Sequence, residues 1–270
     1  MNRMTIPLVA TMFAVATAPA QDWAKARLEK SPRHLEWVKI KHDNREVNCF
    51  VAYPESKEKA TAVIVIHEIF GLSDWVRGVA DQLAEAGYIA IAPDLLSGTA
   101  PGGGGTAELG GGDAVRKAIS ALAPDQITAD LNAVADFVSK LPACNGKLAV
   151  GGFCWGGGQT FRFATNRKDI KAAYSFYGPM PENEADIARI ACPVYGFYAG
   201  NDARIDASIP RTVELMKKAG KSYEPVTYDG AGHGFMRAGE DPDVNSPNHE
   251  ANKKARDESW KRLKDLLKKI

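Results

Sequence analysis

The sequence has no excess of charge of either sign. Its 34 lysines and arginines nearly balance its 33 aspartates and glutamates, which leaves a formal charge of +1 over 270 residues. Proteins that bind nucleic acid or an anionic membrane surface usually show a clear basic excess. We therefore expect no nucleic acid and no membrane among the partners of the mature chain.

The motifs of the common metal and nucleotide sites are missing as well. His67 and Glu68 stand together, but Gly71 occupies the position where a zinc-binding His-Glu-x-x-His motif needs its second histidine. Two glycine runs, at 102–105 and 110–112, lack the lysine and hydroxyl residue of a phosphate-binding P-loop and the spacing of a dinucleotide fingerprint. We expect no metal and no cofactor.

Cysteine is scarce, and the sequence has no Cys-x-x-Cys pair. The four cysteines are Cys49, Cys144, Cys154 and Cys192. Cys144 and Cys192 each precede a predicted strand, and if those strands are neighbours in the sheet a disulfide could join them; free, buried thiols are the other interpretation. The lack of a second cysteine close to Cys154 argues against a redox thiol protein.

The apolar stretch near the N-terminus is short. The first four residues include a basic one, an apolar core follows at 6–16, and a small-x-small site ends at Ala20. This pattern predicts a secretory signal peptide over residues 1–20, because the core is too short to span a bilayer as a helix; a retained anchor is the alternative. We expect an exported, periplasmic protein whose mature part, residues 21–270, is a single domain.

What the sequence does contain is the pattern of a nucleophile elbow. The mostly apolar run Lys-Leu-Ala-Val-Gly at 147–151 leads directly into Gly-Phe-Cys-Trp-Gly at 152–156. A buried strand that ends in Gly-x-nucleophile-x-Gly and passes at once into a helix is typical of this elbow, and its glycines let the strand and the helix approach closely. The nucleophile would be the thiol of Cys154. The alternative is a buried structural cysteine.

An aspartate and a histidine follow in the order nucleophile, acid, histidine that a catalytic triad on this fold uses. Asp202 comes shortly after the apolar residues 193–199, and His233 lies in a glycine-rich loop after the predicted strand 223–228. Open α/β sheets place their chemistry beyond the carboxyl ends of their strands. Either residue alone could be structural, but their joint occurrence indicates a triad with Cys154.

The loop after an earlier strand completes this pattern. Residues 62–66 are a continuous apolar run, typical of a strand that is buried on both faces. On this fold, the loop after that strand and the residue after the nucleophile donate the backbone amides of the oxyanion hole. We therefore predict that Ile69 and Trp155 supply these amides, each of which stabilises a tetrahedral intermediate by about 3 kcal/mol.

Four segments together resemble the dienelactone hydrolases, also called carboxymethylenebutenolidases. They are Glu-Ile-Phe-Gly at 68–71, Ala-Pro-Asp-Leu at 92–95, Gly-Phe-Cys-Trp-Gly-Gly at 152–157 and Gly-Ala-Gly-His-Gly-Phe at 230–235. The resemblance extends from about residue 46 to residue 237. It implies an α/β-hydrolase fold and the hydrolysis of small esters or lactones through an acyl-enzyme.

The resemblance also implies a role for Glu68. In that family the matching glutamate contacts the resting thiol and takes its proton when substrate binds. Glu68 would thus activate Cys154, while His233 and Asp202 hold the imidazolium and later activate water. The thiol would be largely neutral until substrate arrives, which would limit its oxidation.

Two arginines that bind the substrate's carboxylate belong to the same resemblance. Arg237, four residues after His233, matches one of them. The other should follow the Pro-Asp-Leu segment, but residues 93–98 contain no arginine. A single arginine can still pair with a carboxylate, although the two-pronged clamp is lost. Whether the natural substrate carries a carboxylate therefore stays open.

The order of the predicted elements indicates an α/β fold with a mostly parallel sheet and helices on both faces. A hairpin at 37–40 and 47–53 opens the sheet, and strands and helices then alternate up to a terminal amphipathic helix at 250–270. A helix at 74–86 is expected to be capped by Ser73.

One stretch, from Gly98 to Gly112, fits none of these elements because it is so rich in glycine. It follows the carboxyl end of the strand predicted at 88–92. We expect a flexible loop that borders the mouth of the active site.

Three functions are compatible with these residues. The leading one is an exported, cysteine-dependent hydrolase of small esters or lactones, which acts as a monomer or a small homo-oligomer. The second is a broader carboxylesterase or thioesterase for larger esters, favoured by the missing arginine and the open glycine-rich loop. The third is a non-catalytic thiol or binding protein on the same scaffold, against which the complete set of site residues argues.

Overall fold

An eight-stranded sheet forms the centre of the molecule. The computed structural model describes residues 21–270, and the predicted signal peptide, residues 1–20, lies outside the described residues. In chain order the strands are β1 (Leu35–His42), β2 (Arg45–Ala52), β3 (Ala60–Ile66), β4 (Ile89–Pro93), β5 (Cys144–Phe153), β6 (Ala172–Phe176), β7 (Val194–Ala199) and β8 (Tyr223–Tyr228).

The strand order across the sheet is β1-β2-β4-β3-β5-β6-β7-β8. β1 and β2 form the predicted antiparallel hairpin, and β2 also runs antiparallel to β4. The pairs from β4 through β8 are parallel. The predicted α/β fold with a mostly parallel sheet is therefore confirmed, and the carboxyl ends of β3 to β8 lie along one edge of it.

Helices connect the strands and cover the sheet. Within the described residues they are α1 (Asp22–Glu29), α2 (Asp74–Glu85), α3 (Gly112–Ala121), α4 (Pro124–Ser139), α5 (Trp155–Asn166), α6 (Glu184–Ala188), α7 (Ala203–Asp206), α8 (Ile209–Lys218), α9 (Phe235–Ala238) and α10 (His249–Leu267). None of the helices in this part of the chain has the length and apolar character needed to cross a bilayer.

Both faces of the sheet are covered because its central strands are apolar on both faces. Every residue of β3 is buried, with Val63 and Val65 on one side and Ile64 and Ile66 on the other. The first side packs against α1, α2 and α10, and the second packs against α4, α5 and α8. Parallel sheets are covered on both faces in this way. Burial of each valine or isoleucine side chain contributes about 1.5–3 kcal/mol to the stability of the fold.

Helix α2 begins where the sequence predicts, but without the predicted cap. The side chain of Ser73 makes no hydrogen bond to the helix. Instead, the amide of Trp75 donates to the side-chain oxygen of Gln21 at 3.1 Å. The partner comes from more than 50 positions away, so a local pattern could not reveal it. Gly87 follows the helix with a φ of +97°, as expected for the glycine that ends it.

The four cysteines are free thiols, so the disulfide considered between Cys144 and Cys192 is absent. Cys144 begins β5 and Cys192 precedes β7, but β6 lies between these two strands in the sheet. The two strands are therefore not neighbours. Cys49, Cys144 and Cys192 are all buried.

The glycine-rich segment is folded rather than open. It contains two 3-10 turns, Pro101–Gly103 and Ala107–Leu109, before α3 begins. Between the turns, the amide and the hydroxyl of Thr106 each donate to the carboxylate of Asp94 at 2.7 Å. The hydroxyl oxygen of Thr106 also accepts from the amide of Leu72 at 3.0 Å. Thr106 thus joins this segment to the end of β4 and to the loop after β3.

Candidate active site

Cys154 lies at a strained turn between β5 and α5. Its φ of 55° and ψ of −119° fall in a region that residues other than glycine rarely adopt. Its amide donates to the carbonyl of Phe176 at 2.9 Å, which ties the turn to the end of β6. The motif predicts this strained conformation, and the thiol is partly exposed there.

The glycines on either side of Cys154 are required for steric reasons. A Cβ on Gly152 would lie 2.3 Å from the carbonyl oxygen of Gly156, and a Cβ on Gly156 would lie 2.3 Å from the carbonyl oxygen of His67. Both obstacles are backbone atoms, which cannot rotate away as a side chain can. The close approach of β3, β5 and α5 therefore depends on glycine at these two positions.

The structure brings Cys154, His233 and Asp202 together. Nε2 of His233 is 3.1 Å from Sγ of Cys154, and Nδ1 of His233 is 2.5 Å from Oδ2 of Asp202. A backbone hydrogen bond of 2.9 Å from Asn201 to Ala231 joins the loops that carry the acid and the histidine. In this geometry a proton can pass from the thiol to the ring while the carboxylate holds the other ring nitrogen.

The surroundings of His233 favour its protonated form. The hydrogen bond with Cys154 raises the pKa of His233, burial acts in the opposite direction, and the hydrogen bond with Asp202 raises it further, to about 9. At neutral pH the ring can therefore keep a proton that it receives from the thiol.

Glu68 is buried, with only 2% of its surface exposed. Its Oε2 accepts a hydrogen bond of 2.9 Å from Nε of Arg237, and its Oε1 is 3.5 Å from the hydroxyl of Tyr177. The resemblance implied a contact between this carboxylate and the resting thiol. The structure differs: the charge-assisted bond to Arg237 holds Glu68, and the thiol of Cys154 hydrogen-bonds with His233.

Arg237 lies between Glu68 and the ring of Phe70. Its guanidinium carbon is 5.2 Å from the centre of that ring, and its side chain is 26% exposed. Within residues 21–270, the two terminal nitrogens of Arg237 make no hydrogen bond. They can therefore bind an anion.

Tyr177 is a part of the site that sequence reasoning missed. It follows β6 directly with a φ of +38°, and it is fully buried. Its ring makes a T-shaped contact with the ring of His233, with 5.2 Å between the centroids and 64° between the planes. Burial raises the pKa of Tyr177 well above its usual range, so its hydroxyl keeps its proton beside Glu68. Its position at the carboxyl end of a strand was the available signal.

The two predicted oxyanion amides are free to donate. Within the described part of the chain, neither the amide of Ile69 nor that of Trp155 donates a hydrogen bond to another protein atom. Trp155 is the first residue of α5, where backbone amides have no partner within the helix. Both side chains also pack against the apolar cluster of Leu96, Val115 and Ile119, the last two of which belong to α3.

No group of three or more histidine, cysteine, aspartate or glutamate side chains among residues 21–270 is placed to hold a metal ion. The polar side chains that meet at this site carry a thiol, an imidazole, two carboxylates and a guanidinium.

The model of the dienelactone hydrolase family matches residues 47–270. The chain belongs to the dienelactone hydrolase family. Membership makes it a hydrolase of ester bonds, which is the chemistry in the family's name. A provisionally named carboxymethylenebutenolidase from Methylorubrum extorquens is 30% identical to it over 96% of this chain and 89% of that protein. Another, from Salmonella typhi, is 31% identical over 81% of each chain.

Solved structures show the same architecture. A provisionally named dienelactone hydrolase from Klebsiella pneumoniae superposes with a TM-score of 0.74 at 24% sequence identity, over 88% of this chain and 99% of that one. A dienelactone hydrolase from Anabaena variabilis gives a TM-score of 0.62 at 17% identity, over 83% and 96% of the two chains. At these identities the likeness concerns the fold.

Proposed function

We propose that this dienelactone hydrolase-like protein cleaves small esters or lactones through a thioester on Cys154. The observation that carries the proposal is the continuous line of hydrogen bonds from Sγ of Cys154 through the ring of His233 to Asp202, with contacts of 3.1 and 2.5 Å. A nucleophile next to a base that a third group orients is the general arrangement for covalent acyl transfer.

In the first half of the reaction, the thiol proton passes to Nε2 of His233 and the sulfur attacks the carbonyl carbon. The carbon–sulfur bond forms as the π electrons move to the carbonyl oxygen, whose charge the amides of Ile69 and Trp155 stabilise. When the intermediate collapses, the carbon–oxygen bond to the alcohol breaks and the imidazolium protonates the leaving oxygen. For a lactone, that alcohol stays attached to the acyl group.

In the second half, water replaces the alcohol. His233 takes a proton from the water, the resulting hydroxide attacks the thioester, and the sulfur leaves with a proton from the imidazolium. The products are a carboxylic acid and the free thiol, so no oxidant, metal or cofactor enters the balance. Asp202 stabilises the imidazolium that forms in each half.

We propose that Arg237 binds the carboxylate of anionic substrates and that Glu68 tunes the site through Arg237. The two terminal nitrogens of Arg237 make no hydrogen bond within the described residues, and its partial exposure leaves them accessible. An anion that draws Arg237 away would free Glu68, which could then turn to the thiol as the family resemblance implies.

The test of the proposed function compares two cysteine variants. Cys154→Ala should fold like the wild type and lose hydrolysis of p-nitrophenyl esters and lactones. Cys144→Ala removes a buried thiol that takes no part in the reaction and serves as the matched control, with turnover retained. Unchanged turnover in a folded Cys154→Ala protein would refute the proposal.

We also propose that residues 1–20 are removed on export to the periplasm and that residues 21–270 fold as one domain. The motivation is the basic, apolar and small-residue order of the first 20 residues. Expression of the full chain in a Gram-negative host should yield a periplasmic protein that begins at Gln21 and unfolds in one transition. An intact mass that retains residues 1–20 would contradict the first part, and two separate transitions would contradict the second.

A further inference from the structure

His67 is a fully buried side chain that the reaction above does not use. It follows β3 directly, and its Nδ1 is 2.8 Å from the carbonyl oxygen of Glu68. Its ring stacks on the ring of Trp155, with 5.3 Å between centroids and 16° between planes. Its Nε2 has no hydrogen-bond partner in the described part of the chain. One side chain thus touches both segments that hold the proposed oxyanion amides.

The hydrogen bond to Glu68 fixes which ring nitrogen carries the proton. A carbonyl oxygen can only accept, so Nδ1 of His67 must be the donor. Burial lowers the pKa of His67, and this effect outweighs the nearby carboxylate of Asp94, which acts in the opposite direction. The ring is therefore neutral, with a bare Nε2.

The acceptor of this bond belongs to a peptide group that matters for catalysis. The carbonyl of Glu68 and the N–H of Ile69 are in the same planar trans peptide and point in opposite directions. The carbonyl accepts from Nδ1 of His67 and from the amide of Gly71, the latter at 3.1 Å. Two donors on one side of the peptide set the direction in which the N–H of Ile69 points on the other side.

We propose that His67 is the positioning residue of the oxyanion hole. It orients the amide of Ile69 through the carbonyl of Glu68, and its ring packs on Trp155, whose amide is the second donor. This inference rests on the proposed function, because an oxyanion forms only if the protein carries out acyl transfer. Oriented donors act on the charge that develops in the transition state, so the loss of His67 should lower kcat and leave KM nearly unchanged.

Two substitutions separate the donor from the ring. His67→Phe keeps an aromatic ring against Trp155 but removes the donor. His67→Asn has an amide nitrogen the same number of bonds from the backbone as Nδ1, so it can still donate to Glu68. We expect His67→Phe to lower kcat by about 10- to 100-fold, less than or equal to the loss of a whole oxyanion donor. We expect His67→Asn to recover at least part of that loss, and the exposed control His34→Phe to show no loss.

A second readout separates positioning from general damage to the site. Alkylation of Cys154 by iodoacetamide forms a carbon–sulfur bond and expels iodide without any oxyanion. Its rate should stay the same in His67→Phe, while the affinity for an aldehyde that forms a tetrahedral hemithioacetal should fall by the same factor as kcat/KM. Equal losses in alkylation and turnover would show that His67 only supports the structure, and so would a His67→Asn variant no better than His67→Phe.

The wild-type protein provides a measurement that does not depend on a variant that folds. Nitrogen-15 chemical shifts of the imidazole should show His67 neutral at neutral pH with its proton on Nδ1. A proton on Nε2, or a charged ring, would overturn the inference. Failure of this inference can be distinguished from failure of the proposed function. If His67→Phe keeps full kcat and Cys154→Ala is inactive, only the role of His67 is refuted.

Discussion

The two loops that hold the proposed oxyanion amides are built in different ways. Backbone contact fixes the elbow at Cys154, where a Cβ on either flanking glycine would lie 2.3 Å from a carbonyl oxygen. Side-chain hydrogen bonds fix the loop after β3. His67 donates to the carbonyl of Glu68, Arg237 donates to the carboxylate of Glu68, and the hydroxyl of Thr106 accepts from the amide of Leu72. Steric exclusion sets the conformation of the elbow, whereas hydrogen bonds and charge set the conformation of the loop after β3.

This difference explains why the elbow could be predicted from the sequence and the contacts of the loop after β3 could not. A close backbone approach requires glycine, and the required glycines stand two positions from the nucleophile. The restraints on the other loop come from distant parts of the chain, with Arg237 169 positions from Glu68 and Thr106 34 positions from Leu72. Substitutions in the two loops should therefore have different effects: those at the elbow should mainly destabilise the fold, and those in the loop after β3 should mainly impair the chemistry.

The largest effect is expected at the elbow. Gly156→Ala places a Cβ 2.3 Å from one backbone oxygen and 2.4 Å from another, so we expect a loss of about 3 kcal/mol or more in the free energy of unfolding. Gly78→Ala, inside α2, is the matched control because nothing lies within 4 Å of its new Cβ, and alanine there should stabilise the helix slightly. Urea unfolding of both variants tests the contrast, which is lost if Gly156→Ala is as stable as Gly78→Ala.

The next effect concerns chemistry in the loop after β3. Glu68→Gln keeps the shape of the side chain but leaves the charge of Arg237 unbalanced near Cys154. We expect the thiol to react faster with iodoacetamide at neutral pH, since a nearby positive charge favours a thiolate, while kcat falls by about 100-fold. The free energy of unfolding should fall by less than in Gly156→Ala, because the side chain of Arg237 left without its partner is 26% exposed. If Glu68→Gln alkylates no faster and retains full kcat, Glu68 has no part in activating the thiol.

A smaller effect is expected for substrate binding at the same loop. Arg237→Gln keeps a donor for Glu68 but removes the positive charge. The KM for esters that carry a carboxylate should rise about tenfold more than the KM for neutral esters of the same length. The double variant Glu68→Gln/Arg237→Gln, which buries no unpaired charge, controls for disruption of the pair. Equal changes for both ester classes would assign Arg237 to structure alone.

The smallest effect is the pH dependence of the unfolding free energy that His233 causes, because its side chain is 35% exposed and solvent screens its charge. The pKa of His233 is raised to about 9, against about 6.5 in an unfolded chain. Protonation of the ring therefore stabilises the fold fully below about pH 6.5, and this contribution is lost as the pH rises through about 9. The difference in unfolding free energy between the wild type and His233→Gln should shrink over that window; a constant difference would contradict the raised pKa.

The sheet, the strained turn at Cys154 and the loops that bring Asp202 and His233 to it could be predicted from the sequence. Each of these depends on local patterns: an apolar run, a glycine spacing, or a polar residue just after a strand. The place of Tyr177 in the site, the ion pair of Glu68 with Arg237 and the hydrogen bonds between Thr106 and Asp94 could not be predicted. Those contacts arise when loops from separate strands meet at one edge of the sheet, which no single segment encodes.

The disulfide considered for Cys144 and Cys192 shows the same limit. Each cysteine stands next to a strand, and both strands are in the sheet, but a third strand separates them. Strand order is set by the packing of the whole chain, so the distance between the two thiols could not be judged from their flanking residues.

The claim that Cys154 forms a thioester can be tested most directly by trapping it. The protein is mixed with p-nitrophenyl acetate, quenched in acid within the first turnovers, and its intact mass is measured before and after digestion. We predict the addition of one acetyl group, carried by the peptide that contains Cys154 and absent from Cys154→Ala. Rapid release of nitrophenol with no acetyl on Cys154, or with the acetyl on another residue, would contradict the mechanism.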